Sequence, residues 1–466
     1  MKLSDGDRRR LTAYILSDTS NALTLRRENP TLVEEAILDP DLLGKLSRDP
    51  VLFSTLILGV KPTPYQLRFL TSSSNRIAVR WPRQSGKTLS LAAYAIWFAV
   101  SHASTTTLIV APSQRQSMIL NDVLQGLIDG APKRIRAAFL RRRLRTMTYL
   151  RNGSKIVALP NSENLLRGYT AHLIVLDEAA FFQHVLTPML ATTGGRMIVS
   201  STPWGKNTQF YRINGDPTWE IHHASWRDAR DAGLYRPEFL EEVERTRETL
   251  PLTYLMEYEA EFAEEADTWL TQDVLAKACS HEIEYEGFEK WNEGEFFVGV
   301  DLAERVDYTA VAVIRREGTN LRLALMHRFP LGTSLAACIG YLKILGERWH
   351  RIRATYVDST KHGDYIIRDM EEAGVPNPRG VFFTQEVKQE AAQILKQRLA
   401  EGKLKLPYDR GLLDELNVEQ YELTKTGRIS LTHASGTHDD RFWGLALAVY
   451  AAQKETLSNK PIIHTM

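Results

Sequence analysis

The sequence RWPRQSGKTLS, residues 80–90, indicates which kind of fold the first half of the chain adopts. It follows the apolar segment RIAVR (76–80) and precedes an apolar run from Leu89 to Val100. A short apolar strand, a Gly-Lys-Thr turn and an apolar helix form the context in which a phosphate-binding loop occurs. The usual loop pattern begins with a glycine where this chain has Trp81, so the loop is a variant.

The segments that follow the loop continue the alternation of strands and helices. Four more apolar segments are separated by helical stretches: TTLIVAP (106–112), KIVALP (155–160), HLIVLDE (172–178) and RMIVSSTP (196–203). Buried runs of this kind predict a mainly parallel sheet in an α/β domain. Asn152-Gly153 predicts a hairpin turn before the second of these strands.

The residues of the loop and of one later strand suit ATP hydrolysis. Loop amides and the helix N-terminus would face the phosphates. Lys87 would reach the β and γ phosphates, and Thr88 would bind Mg²⁺. The strand HLIVLDE ends in Asp177 and Glu178, of which Asp177 can hold Mg²⁺ and Glu178 can polarise the attacking water as a general base.

A second strand-rich region begins after a charged, helical stretch. The segments FFVGVDLA (296–303), DYTAVAVIRR (307–316) and LRLALMHRF (321–329) are separated by short gaps, which predicts an antiparallel meander. Helices then lead to RATYVDST (353–360) and GVFFTQ (380–385). A meander followed by helix-linked strands is the order of an RNase H-like domain.

Four aspartates lie where this second fold would bring carboxylates together: Asp301, Asp358, Asp439 and Asp440, with Asp307 as a further candidate. Clustered carboxylates repel one another unless a cation neutralises them, and oxygen-only ligands favour Mg²⁺ or Mn²⁺. Two such ions about 3.5–4 Å apart can activate water and stabilise the leaving oxygen of a phosphodiester. The sequence does not separate Asp439 from Asp440 as the principal ligand.

The two sets of motifs together resemble the large terminase subunits of tailed bacteriophages, the motor-nucleases that package DNA. That family has a deviant phosphate loop with arginine and glutamine before the Gly-Lys-Thr. The loop residues that match this variant are Arg83, Gln84, Ser85, Gly86, Lys87 and Thr88. The resemblance implies that the missing glycine is a family trait and that Arg83 adds a charge facing the phosphates.

Three more segments take their interpretation from the resemblance. TPYQLRFL (63–70) is similar to the family's adenine-reading segment, with Gln66 as the amide that would pair with adenine. SSTPWG (200–205) resembles the coupling motif, in which Ser201 and Thr202 would sense the γ phosphate. Arg167-Gly168 stands where the family has an Arg-Gly before the Asp-Glu strand.

The stretch KRIRAAFLRRRLR (133–145) carries seven basic residues and no acidic one. It is interpreted either as a solvated face, as a DNA contact, or as the source of an arginine finger offered to a neighbouring subunit. The candidate finger residues are Arg141, Arg142, Arg143 and Arg145.

The resemblance implies a domain order and a function. The expected order is an N-terminal helical segment (1–50), a P-loop ATPase core of the ASCE/RecA-like type (51–205), a helical lid (206–265), a linker (266–290), an RNase H-like nuclease (291–455) and a short tail (456–466). ATP hydrolysis would drive double-stranded DNA into a procapsid, and the nuclease, using Mg²⁺ or Mn²⁺, would cut concatemeric DNA. The implied partners are DNA, the portal protein, the small terminase subunit and further copies of the chain in a ring of about five.

Composition restricts how the chain could bind nucleic acid and in which compartment it would fold. The net charge of +1 means that any nucleic-acid binding depends on local basic patches, and two cysteines favour a reducing compartment. No segment is apolar and long enough to span a bilayer. The resemblance implies the host cytoplasm, with transient docking on the procapsid and absence from the mature virion. The rival interpretations are a helicase-nuclease of restriction or repair, and a structural DNA-binding or portal-associated protein with decayed sites.

Overall fold

Two mixed β-sheets organise the chain, one in each of two units, Met1–Glu264 and Glu265–Met466. The computed structural model describes residues 3–162, 168–182, 195–263, 268–280, 282–303, 308–360, 363–423, 429–432 and 438–458. Among those residues, no helix combines the length and the apolar character that crossing a membrane requires.

The first unit is built on eight strands. They are β1 (Arg76–Arg80), β2 (Thr106–Ala111), β3 (Leu140–Arg143), β4 (Met147–Leu150), β5 (Lys155–Pro160), β6 (Leu173–Asp177), β7 (Arg196–Ser200) and β8 (Glu220–His223). Their order in the sheet is β3-β4-β5-β2-β6-β7-β1-β8. The pairs from β5 to β8 are parallel, and β3 and β4 add an antiparallel edge.

Helices surround this sheet. They are α1 (Asp5–Ser17), α2 (Thr19–Glu28), α3 (Pro30–Ala36), α4 (Pro40–Leu46), α5 (Pro50–Phe53), α6 (Pro64–Leu70), α7 (Lys87–Ser101), α8 (Gln114–Gly130), α9 (Lys133–Phe139), α10 (Gln209–Asn214), α11 (Trp226–Asp231), α12 (Pro237–Thr249) and α13 (Pro251–Glu257). The apolar run after the phosphate loop forms α7, whose residues from Ser90 to Trp97 are all buried. The N-terminal helices share its core, and Trp97 Nε1 donates to Leu46 O at 3.2 Å.

Two edge strands of this sheet were not predicted. β8 has the sequence EIHH, which is short and polar, yet it pairs in parallel with β1. β3 has the sequence LRRR, lies within the basic stretch and pairs with β4. Neither segment shows the apolar alternation that is typical of a strand. Each lies in the sheet because its backbone pairs with a neighbouring strand, and few of its own side chains are buried.

The second unit carries six strands in one sheet and a separate two-stranded ribbon. The strands are β9 (Asn292–Asp301), β10 (Ala310–Glu317), β11 (Asn320–Arg328), β12 (Trp349–Asp358), β13 (Pro378–Val381), β14 (Leu404–Lys405), β15 (Gln420–Leu423) and β16 (Ile429–Thr432). The sheet order is β13-β12-β9-β10-β11-β14. β9, β10 and β11 form the expected antiparallel meander, and β12 runs parallel to β9.

Six helices complete this unit. They are α14 (Gln272–Ala278), α15 (Leu335–Arg348), α16 (Tyr365–Ala373), α17 (Gln385–Ala400), α18 (Arg410–Val418) and α19 (Asp440–Ser458). The long helix α19 packs across β9, β10 and β12. The predicted α/β fold class is confirmed: a mainly parallel sheet in the first unit is followed by a sheet with an antiparallel meander in the second unit.

Candidate functional site

The phosphate loop turns sharply between β1 and α7. Gly86 has φ 78°, a left-handed conformation that favours glycine, and a Cβ there would lie 2.5 Å from Gln66 Nε2. Gln84 also has positive φ, at 57°. Arg83 and Gln84 are exposed on the loop, whereas Lys87 and Thr88 are half-buried in the first turn of α7.

Helix α6 holds the loop through two side chains. Tyr65 Oη and Gln66 Nε2 both donate to Ser85 O, at 2.7 and 3.0 Å. Gln66 Oε1 also accepts a hydrogen bond from Thr63 N at 2.9 Å, which caps the helix. The structure therefore places Gln66 against the loop, and its reading of adenine stays a prediction.

Trp81 turns its side chain away from the loop and into the core. The residue is 1% exposed, and its ring meets Tyr65 and Phe69 edge-on at 4.9 and 5.7 Å. Its backbone oxygen accepts a hydrogen bond from Lys87 Nζ at 3.3 Å. The large residue thus fits the glycine position because the side chain anchors the loop to α6 instead of crowding the phosphates.

We expect Trp81→Ala to lower the free energy of unfolding of the first unit by about 3–5 kcal/mol, since a buried indole leaves a cavity that its neighbours cannot fill. Denaturant titration measures this change. Trp291→Ala is the control for loss of a tryptophan: Trp291 is 60% exposed and belongs to the second unit, so its loss should change the free energy of unfolding of the first unit by less than about 0.5 kcal/mol. A loss below about 1 kcal/mol at Trp81 would contradict an anchoring role.

An acidic pair lies at the end of β6, two strands away from β1. Burial, reinforced by the neighbouring charge of Glu178, raises the pKa of Asp177 to about 7, and Lys87 opposes the shift. Glu178 has φ 55°, which directs the chain away from the strand. Ser201, just past the end of the intervening β7, donates from Oγ to Glu178 Oε2 at 3.2 Å. Ser201 therefore links the predicted coupling segment directly to the predicted general base, and both Ser201 and Thr202 are buried.

Two residues of the segment predicted to form the lid contact the same loop. Arg83 N donates to Glu257 O at 2.8 Å, and Tyr235 Oη donates to Arg83 O at 2.7 Å. Both backbone groups of Arg83 are therefore bound by this segment. The sequence carried no signal for this contact, because it depends on the main chain of residues far apart in the sequence.

The four candidate finger arginines differ in their surroundings. Arg141 and Arg142 are exposed on β3, and Arg145 is exposed just after it. Arg143 Nη1 instead forms an ion pair with Asp129 at 2.8 Å. Arg143 is thus held within its own subunit, which leaves the other three as the better placed candidates; Arg167, noted in the sequence, lies outside the described residues.

The second site begins at the carboxyl ends of two neighbouring parallel strands. Val300 pairs with Val357, so Asp301 and Asp358, the next residue on each strand, end β9 and β12 side by side. The candidate Asp307 lies outside the described residues.

Close packing of α19 on β9 decides which aspartate of the Asp439-Asp440 pair faces Asp301. A Cβ at Gly299 would lie 2.2 Å from both Gly444 O and Ala448 N, so the strand and helix backbones touch there. Asp440 lies one turn before Gly444 on that helix face, and Asp301 lies two residues beyond Gly299 on that strand face. Tyr308 N donates to Asp440 Oδ1 at 3.1 Å and fixes this carboxylate.

The raised pKa of Asp301 is consistent with a position close to the other three aspartates. Burial, followed by the charges of Asp440, Asp358 and Asp439, raises the pKa of Asp301 well above its usual value, and Lys388 opposes the shift. A divalent cation would neutralise such a cluster, so the donor set fits Mg²⁺ or Mn²⁺. Within the described residues, no three His, Cys, Asp or Glu side chains converge closely enough to ligate one ion as they stand. The ligand set accordingly stays a prediction.

Three residues that the sequence analysis missed hold these carboxylates. Thr360 donates to Asp358 Oδ1 from its backbone N at 2.9 Å and from Oγ1 at 2.5 Å. Trp443 Nε1 donates to Asp439 Oδ2 at 2.6 Å. Burial and the adjacent Asp439 charge raise the pKa of Glu419 to about 9. The Asp-x-Thr spacing is a turn signal that could have revealed Thr360, whereas nothing in the sequence marks Glu419.

The first unit thus carries a loop of the phosphate-binding type with an acidic pair, and the second unit carries clustered carboxylates at strand ends. Residues 80–277 match the family model described as terminase large subunit, T4likevirus-type, N-terminal. The chain is also 23% identical over 445 residues to the terminase large subunit of Thermus phage G20c, covering 84% of this chain and 88% of that protein. Over most of its length the chain is therefore similar to terminase large subunits, and the family model covers residues 80–277 of it.

A further relative and two solved structures that are similar to this chain are also named as large terminases. The terminase large subunit of Thermus virus P23-45 is 23% identical over 446 residues, with the same coverage of 84% and 88%. Among solved structures, the HK97 bacteriophage large terminase is 14% identical with a TM-score of 0.40, covering 86% of this chain and 99% of that one. The large terminase nuclease from thermophilic phage G20c is 23% identical with a TM-score of 0.32, covering 36% and 90%.

Proposed function

We propose that this chain is the motor and nuclease of viral genome packaging. ATP hydrolysis in the first unit drives double-stranded DNA into a procapsid through the portal, and the second unit cuts concatemeric DNA at the start and end of packaging. The observation that carries the proposal is the presence of two unlike sites on one chain that is similar to terminase large subunits. A phosphate loop with its acidic pair lies in one unit, and a carboxylate cluster lies in the other.

In the proposed ATPase site, Lys87 neutralises charge on the β and γ phosphates, and Thr88 and Asp177 hold Mg²⁺. Glu178 takes the proton of the attacking water, and Ser201, bonded to Glu178 at 3.2 Å, senses the γ phosphate. Loss of the γ phosphate shifts the loop backbone at Arg83. The proposed lid moves with it, because Glu257 and Tyr235 are hydrogen-bonded to the backbone of Arg83. The exposed arginines after α9 are available to a neighbouring copy.

In the proposed nuclease site, Asp301, Asp358 and Asp440 hold the divalent ions, with Asp439 beside them. Bound ions would activate water and stabilise the leaving oxygen of the phosphodiester. Thr360 orients Asp358, and Trp443 orients Asp439, through the hydrogen bonds at 2.5–2.9 Å. Mn²⁺ can replace Mg²⁺ because both are hard cations that accept oxygen ligands.

The proposed partners are DNA, the portal protein, the small terminase subunit and other copies of the chain in a ring of about five. The proposed setting is the host cytoplasm, with docking on the procapsid only during packaging. A helicase-nuclease is the less favoured alternative, because it needs a second α/β motor after the first. The described part of the second unit has instead a meander sheet with aspartates at its edge.

A packaging assay tests the motor directly. The purified chain is mixed with portal-bearing procapsids, linear double-stranded DNA and ATP, and the DNA that becomes resistant to added DNase is measured. We expect protection with ATP and none with a non-hydrolysable analogue. Release of single strands from a duplex without any protected DNA would instead support the helicase-nuclease.

We expect chelation by EDTA to abolish both ATP turnover and plasmid cutting, because each site joins carboxylates to a phosphate substrate and needs a divalent cation between them. Phosphate release and agarose gels measure the two activities. Adding excess Mg²⁺ should restore both, and adding Mn²⁺ should restore cutting. Full activity of either site in EDTA would rule out the ion at that site.

A further inference from the structure

Two exposed aromatic side chains lie on segments next to the carboxyl end of β12, the strand that ends in Asp358. Phe382 is 54% exposed and Tyr365 is 77% exposed. Phe382 comes directly after Val381, the residue that pairs with Asp358 in parallel register. Tyr365 is the first residue of α16, and this helix packs against β13. We call Phe382 and Tyr365 the aromatic pair.

Hydrogen bonds fix the backbone next to Phe382 relative to the carboxylates. Phe383 N donates to Thr360 Oγ1 at 2.8 Å, and Thr360 Oγ1 donates to Asp358 Oδ1 at 2.5 Å. The ring of Phe383 packs edge-on against Trp443 at 5.3 Å, and Trp443 bonds to Asp439. The segment that presents Phe382 is thus held by two of the site's carboxylates.

The exposure of the pair contrasts with its surroundings. Phe383 and Trp443 are buried, whereas among the described residues neither Phe382 nor Tyr365 packs against another aromatic ring. Lys388 places its Nζ 4.8 Å from the centre of the Trp443 ring, which puts a positive charge beside the same edge. Aromatic rings beside a positive charge are how proteins bind single-stranded nucleic acid, because each base can stack on a ring and the phosphate faces the cation.

We infer that the aromatic pair stacks on unpaired bases of the strand that is cut, so that the second site prefers DNA that is locally melted or single-stranded. A paired base cannot reach a ring at the protein surface until it leaves its own stack. This inference deepens the proposed function and rests on DNA being the substrate of the second site.

The test uses the whole chain and two matched substrates. One is a fully paired 40-base-pair duplex, and the other has the same sequence with a central bubble of unpaired bases. Cutting is followed in Mn²⁺ under single-turnover conditions. We expect the wild type to cut the bubble faster, and we expect Phe382→Ala and Tyr365→Ala each to slow bubble cutting by about tenfold. Phe382→Trp should retain the wild-type rate because it keeps a flat ring.

Trp291→Ala is the control for a lost exposed aromatic, since Trp291 precedes β9 at the end of the strand opposite Asp301. A second readout, quenching of 2-aminopurine in the bubble measured in Ca²⁺, reports stacking without cutting. Equal slowing of duplex and bubble by Phe382→Ala, or unchanged rates and quenching, overturns the inference. Quenching that depends on Phe382 in a chain that cuts neither substrate supports the inference and overturns the nuclease proposal.

Discussion

Replacement of Lys87 by alanine is expected to lower ATP turnover by about 10³-fold, because the site loses the positive charge that meets the transferred phosphate. Lys87 lies in the first turn of α7, and its Nζ donates to Trp81 O at 3.3 Å, next to the loop. It also opposes the rise in the pKa of Asp177, so its charge reaches the acidic pair. Phosphate release under saturating Mg²⁺ and ATP measures the loss.

Two controls separate chemistry from folding in that experiment. Lys61→Ala removes an exposed lysine from the same unit and should leave turnover unchanged. The thermal unfolding of Lys87→Ala should match the wild type, because a half-buried side chain leaves little cavity. Plasmid cutting should also persist, since the second site lies in a separate unit. Turnover within tenfold of the wild type would show that the loop is not the hydrolytic site.

The phosphate loop was predictable because its signal is local. A strand, the Gly-Lys-Thr turn and an apolar helix stand next to each other in the sequence, and the structure has them as β1, the loop at Gly86, and α7. The role of Trp81 was not predictable, since its burial depends on Tyr65 and Phe69 in a helix that precedes β1. Local patterns identify a motif, and long-range packing determines how it is held.

In the second site, too, some residues were predictable from local patterns and others depended on long-range packing. Asp301 and Asp358 could be predicted from the sequence because each ends an apolar strand, and the carboxyl ends of neighbouring parallel strands meet at one edge of a sheet. Which of Asp439 and Asp440 faces Asp301 depends on the approach of α19 to Gly299, which no sequence pattern encodes. Glu419 was missed for the same reason, since its raised pKa reflects burial and contact with Asp439.

Replacement of Asp301 by alanine is expected to lower plasmid cutting by about 10³-fold, because several kcal/mol of charge stabilisation depend on ions held at this site. Asp301 is the carboxylate whose pKa is raised by all three of its acidic neighbours, Asp440, Asp358 and Asp439. Its charge is thus coupled to all three of them, and its loss should weaken the binding of divalent ions at this site. Gel analysis of supercoiled plasmid in Mn²⁺ measures the rate.

Asp369→Ala is the matched control, since Asp369 is an exposed aspartate on α16 in the same unit. It should cut at the wild-type rate, and both variants should hydrolyse ATP normally. Calorimetric titration with Mn²⁺ in the absence of DNA adds a readout that does not depend on cutting, and we expect Asp301→Ala to lose the binding that Asp369→Ala retains. If Asp301→Ala binds Mn²⁺ and cuts as well as its control does, the aspartates at this sheet edge are not a shared ion site, and the scission chemistry must lie elsewhere on the chain.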